Sequence, residues 1–250
     1  MLFSILLERI AIMALLMAVG VYLSRKGFLS EQGSRDLGAI LLRIIIPCVI
    51  IKSYITEYSH QRLLELGLSA LLALISYVVA MLLSYLVFGQ RRRLENFAAA
   101  FCNAGFIGIP LVQAVGGQEG VFYIAASVAL LNLFQWTYGV YIMTGRKDTI
   151  SPKAIARNPV VISIVIGVAL FLSRVTLPGI LTSTLGYVAD MNTPVAMILM
   201  GTYLARLPLR RMLDRRAVGC VLMRLVVIPA AVGLVFWLMP VDNLPLMTAV

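Results

Sequence analysis

Apolar runs close to 20 residues long recur eight times along this 250-residue chain, and that recurrence limits its fold more than any other feature. Such a run, wound as a helix rising about 1.5 Å per residue, crosses a hydrocarbon core about 30 Å thick. Inside a bilayer the backbone must satisfy its own hydrogen bonds, which leaves helices or closed barrels. The spans read as 3–23, 37–54, 66–88, 97–115, 121–143, 159–173, 180–205 and 217–239. With 61% of residues hydrophobic and 13% charged, a soluble domain is excluded. The fold class is an all-α polytopic membrane protein. The last seven residues, Leu244 to Val250, are too few to cross again and read as the start of a ninth span.

The net charge of +10 would suit a nucleic-acid partner, but its distribution argues for a lipid bilayer and no nucleic acid. Loops after the first, third, fifth and seventh spans hold 15 Lys and Arg; the opposite side holds 4. Basic loops stay in the cytoplasm. The expectation is a multi-pass protein of the cell (inner or plasma) membrane with its N-terminus extracytoplasmic. Glu8 and Arg9 interrupt the first run, which continues for a full span and does not resemble a cleavable signal.

The fourth span is unusual. Asn103-Ala104-Gly105-Phe106-Ile107-Gly108-Ile109-Pro110 places two glycines, a proline and an amide where a spanning helix should be most regular. Proline lacks the backbone N–H, and glycine loosens the chain. A broken helix survives at membrane depth only against protein or a wet cavity. Two readings follow: a substrate site built on a discontinuous helix, or a packing kink under a crossing neighbour. A half-helix starting near Gly108 would aim its partly positive N-terminus at mid-membrane and favour an anion. Asn103 can donate to a carboxylate and accept from its protonated form.

A repeat is also legible. Gly20 precedes Pro47 by 27 residues, and Gly167 precedes Pro194 by 27 residues. The offset of 147 superimposes spans one to three on spans six to eight, with five spans between equivalent points. An odd number makes the halves opposite in orientation, an inverted repeat. Residues 1–144 form the first five-helix repeat, 145–158 a cytoplasmic linker, and 159–250 an incomplete second repeat. Asn103 maps onto position 250.

Other polar residues in spans each carry two readings. Arg43, four residues before Pro47, is an anion attractor or snorkels to the surface. Asp190, four before Pro194, binds a proton or coupling cation, or caps a loosened turn. Asn132 and Gln135 are three apart and share a helix face, lining the site or bonding to another helix. Arg224 reads as paired within the bundle. Cys48, Cys102 and Cys220 have no CxxC partner and read as small core residues. No nucleophile–base set or metal-ligand motif appears, so neither an enzyme nor a cofactor is expected.

Several stretches resemble the auxin efflux carrier family of membrane transporters. They are residues 20–30 with Gly20 and Gly27, Pro47, the Asn103–Pro110 stretch, residues 132–139 from Asn132 to Gly139, Asn158-Pro159, and residues 193–201 from Thr193-Pro194 to Gly201. The resemblance implies ten spans in two inverted five-helix repeats, of which this sequence lacks the last two. It implies a scaffold from the first two spans of each repeat and a mobile bundle around the crossover. It implies organic-anion transport and suggests a homodimer. The expected substrate-binding set is Asn103, Gly105, Gly108, Pro110, Arg43, Pro47, Asn132, Gln135, Thr193 and Pro194, with Asp190 for proton or ion coupling.

The function expected is a secondary transporter for a small organic anion, such as a carboxylate or auxin-like acid, working by alternating access. The alternative is a non-transporting receptor, regulatory subunit or truncated remnant on the same fold.

Overall fold

The computed structural model describes residues 2–102, 104–146, 151–175, 177–207 and 215–238, without the side chains of 2–6, 154, 155 and 215. All regular structure among them is helical. Five helical stretches are long and apolar enough to cross a membrane: Leu7–Arg25, Glu31–Tyr54, His60–Phe88, Arg93–Thr144 and Arg216–Trp237. Pro159–Ser173 is apolar but only 15 residues long. The expected seventh span is divided at Met191 into helices of 12 and 15 residues, neither long enough alone.

Three prolines explain most of the irregularity. Helices α2 (Glu31–Ile40) and α3 (Ile46–Tyr54) are joined by a π-helical turn, Leu41–Ile45. A second π-turn, Ala104–Gly108, leads into α6 (Ile109–Phe134), and a third, Met223–Val227, joins α12 (Arg215–Leu222) to α13 (Ile228–Trp237). Each ends immediately before an Ile-Pro pair, at Pro47, Pro110 and Pro229. A proline ring clashes with the carbonyl four residues back and offers it no N–H. A wide π-turn moves that carbonyl aside, and such bulges often mark functional sites.

The chain divides into two compact units. The first holds residues 1–58, 103–122 and 159–207. In it α1 (Leu2–Arg25) packs along α11 (Asn192–Arg206), while α3 packs on α9 (Pro159–Ser173) and α10 (Gly179–Asp190). Glycines set the closest approaches. A β-carbon on Gly201 would stand 3.0 Å from the Gly20 Cα and collide with the Met17 carbonyl oxygen. One on Gly167 would stand 3.0 Å from Cγ of the buried Tyr54. Tyr54, Phe122 and Phe171 pack in series with tilted, edge-on rings, their centroids 5.0 and 5.2 Å apart.

The second unit holds residues 59–102, 123–158 and 208–250. Its core joins α4 (His60–Phe88), α5 (Arg93–Ala100) and α13 through Leu72, Phe88, Ala99, Val232 and Phe236. Ser59 caps α4 by accepting from the Arg62 N–H at 3.1 Å.

Candidate functional site

The broken span is interrupted earlier than its glycines suggest. α5 ends at Ala100; Phe101 is extended and Cys102 is non-helical, and helix resumes at Ala104. Asn103 lies outside the described residues. The stretch holding Gly105, Gly108 and Pro110 is itself helical, because the π-turn absorbs the missing proline N–H. The half-helix therefore starts at Ala104 and not near Gly108, which leaves Pro110 inside a helical run.

The run turns sharply at Gly117, whose φ of 59° and ψ of −150° suit glycine alone. A β-carbon on Gly120 would stand 3.1 Å from the Val112 carbonyl oxygen. In a straight helix those residues would be about 12 Å apart along the axis. The chain thus doubles back at the Gly116-Gly117 pair.

Beside the outgoing half of this hairpin is a cavity of about 330 Å³, within the first unit. α1 lines it with Arg9, Ile12 and Met13, and α6 with Pro110, Gln113 and Ala114. Asp190, ending α10, and Thr193, in the first turn of α11, complete the wall. The structure therefore brings together Pro110, Asp190 and Thr193, and adds Arg9 and Gln113, neither of which the sequence assigned to the site. Gly105, Gly108, Arg43, Pro47 and Pro194 stand in the same unit outside this lining. Arg43 is exposed on the first π-turn.

Asp190 is not a free charge. Lys52 of α3 donates to its Oδ1 at 3.1 Å. Two residues on, Asn192 is fully buried, and neither its Nδ2 nor its Oδ1 has a hydrogen-bond partner among the described residues. A buried amide with both ends open is uncommon and calls for a partner such as a ligand, water or ion.

The other predicted amides lie in the second unit. Asn132 donates to the Val128 carbonyl at 2.8 Å and accepts from Asn158 Nδ2 at 3.2 Å. Gln135 opens the π-turn Gln135–Gly139 and is half-buried. Arg224 pairs with no carboxylate among the described residues; it donates to the Ala99 and Ala100 carbonyls at 3.0 and 3.3 Å. It thereby caps the C-terminal end of α5, where carbonyls lack helical partners and the dipole is negative.

Long apolar helices, one of whose runs is interrupted at Phe101 and Cys102, define a multi-pass membrane protein. The model of the auxin efflux carrier family, described as membrane transport protein, matches residues 5–155 and 148–250, and the chain belongs to this family. It is also similar, at 26% identity over 206 residues, to a protein of Methanothermobacter thermautotrophicus named uncharacterized transporter. That match covers 78% of this chain, which spans 66% of the archaeal protein.

Proposed function

We propose that this protein is a secondary carrier for a small organic anion, with its site in the first helical unit, where the second part of the interrupted span lines a cavity. The observation that supports this most is the shared cavity of Pro110, Asp190 and Thr193. Its volume of about 330 Å³ falls at the lower end of ligand pockets, suited to a small acid. Asn103 belongs to the same interrupted span and is the amide assigned to the carboxylate.

Alternating access in this reading uses two inverted repeats. Reciprocal packing supports them. A shift of 147 carries Gly20 to Gly167 and Tyr54 to Gly201, and the contacts Gly20–Gly201 and Gly167–Tyr54 exchange under it. The ten-span arrangement, the extracytoplasmic N-terminus, the dimer and the assignments of Arg43, Asn132, Gln135 and Asp190 belong to the same proposal.

A thermal-shift screen of purified protein against small carboxylates and their matched amides tests it. Carboxylates should stabilise the protein and amides should not. Asn103→Ala should weaken that binding by about 1–3 kcal/mol, the cost of an unpaired buried polar group. Equal response to acids and amides would remove the anion assignment. Acid-specific binding without uptake would favour the receptor reading.

A further inference from the structure

We propose that the cavity of the first unit selects anions through Arg9, and that Lys52 makes this possible by cancelling the charge of Asp190. The inference rests on the carrier reading only for its biological use; the electrostatic claim concerns the cavity itself.

Charge count decides the sign the cavity favours. Two ionisable side chains line the cavity, Arg9 and Asp190. Left alone they would offset each other, and the cavity would favour neither sign. Lys52 stands outside the lining, and its ammonium is 3.1 Å from the Asp190 carboxylate. The Lys52 side chain is 23% exposed and the Asp190 side chain 65%, so water screens the pair, yet at 3.1 Å the two opposite charges still offset each other locally. Asp190 is thereby occupied. Arg9 pairs with no carboxylate among the described residues, and its guanidinium is the remaining net charge. The rest of the wall fits a carboxylate with a compact organic body. Gln113 supplies amide donors, Thr193 a hydroxyl, and Ile12, Met13 and Pro110 an apolar surface. A guanidinium binds a carboxylate through two parallel N–H donors, which fixes orientation as well as sign.

The helix ends do not supply this selectivity. The half-helix begins at Ala104, while its cavity residues are Pro110 to Ala114, more than a turn further on. The dipole acts within the first turn, so side chains decide the sign here.

The test needs no identified substrate. In a background with Cys48, Cys102 and Cys220 replaced by alanine, a single Ala114→Cys places a thiol in the cavity wall. It is reacted with anionic sulfonatoethyl methanethiosulfonate and, separately, with cationic trimethylammonioethyl methanethiosulfonate. Gln118→Cys, on the exposed turn, is the reference. The anion-to-cation rate ratio at position 114, relative to position 118, should drop about tenfold in Arg9→Gln and stay in Arg9→Lys, as expected for one nearby charge at partial screening. Lys52→Gln should lower it as well, by unmasking Asp190. The double variant Lys52→Gln/Asp190→Asn should restore it. An unchanged ratio in Arg9→Gln, or a double variant no better than Lys52→Gln, would overturn the proposal. A carrier without this ratio, or the ratio without carriage, separates this inference from the function above.

Discussion

Gly201 lies directly against Gly20, so close that a β-carbon on Gly201 would sit 3.0 Å from the Gly20 Cα. The α1–α11 contact therefore depends on the absence of side chains. In a bilayer helices gain little from burying apolar surface against one another, and close backbone packing takes its place. Gly201→Val should destabilise the protein by about 1–3 kcal/mol or more, the overpacking range, because the obstacle is backbone and cannot rotate away. Gly67, where a β-carbon would meet open space, is the control. Gly67→Ala in the interior of α4 should be neutral or stabilise by up to about 1 kcal/mol. Thermal unfolding in detergent reads both; equal effects at the two positions would contradict the packing account.

Arg224 should matter to stability through its carbonyl contacts. Hydrogen bonds to a charged group contribute about 1.5–3 kcal/mol. Arg224→Met removes two of them and leaves the Ala99 and Ala100 carbonyls open beside the interruption. A loss of about 2–3 kcal/mol is expected in chemical unfolding, with Arg224→Lys recovering part of it. No change in Arg224→Met would mean that water replaces the guanidinium.

Asn192 separates stability from function. If its amide exists for packing alone, replacing it should cost stability. Here both polar ends are buried without partners among the described residues, so Asn192→Leu, similar in volume, should be neutral or stabilising. Uptake should nevertheless fall by about tenfold, equal to about 1.4 kcal/mol of lost ligand interaction. A destabilised variant with normal uptake would assign Asn192 to the scaffold.

The 15-to-4 distribution of basic residues predicts an extracytoplasmic N-terminus. In intact cells, an impermeant thiol reagent should label a cysteine at Gly116 and leave one at Arg92 untouched. The reverse pattern would invert the protein in its membrane.

Much of this was legible in the sequence. Apolar run length identified the five stretches long enough to span, whereas the sixth and seventh runs form helices of 15, 12 and 15 residues. The point of interruption was not legible. Glycine and proline mark irregularity, yet a π-turn can keep such a stretch helical, as it does from Ala104 to Gly108. The break fell instead at Phe101 and Cys102, which carry no breaker signal. Arg9 and Gln113 were passed over because polar residues near a span end resemble interfacial ones. A spacing signal existed: Arg9, Ile12 and Met13 fall at i, i+3 and i+4, Pro110 and Gln113 at i and i+3, and Asp190 and Thr193 likewise. Which of these faces meet is decided by tertiary packing, which one sequence read alone does not specify.

The central claim is carriage of a small organic anion through the site at the interrupted span. Purified protein in liposomes should accumulate a radiolabelled small carboxylate saturably, with inhibition by unlabelled acid and none by the matched amide. Asn103→Ala and Arg9→Gln should each reduce that uptake at least severalfold. Protein that binds acids yet gives no uptake above empty liposomes would contradict the carrier account and leave the receptor reading in its place.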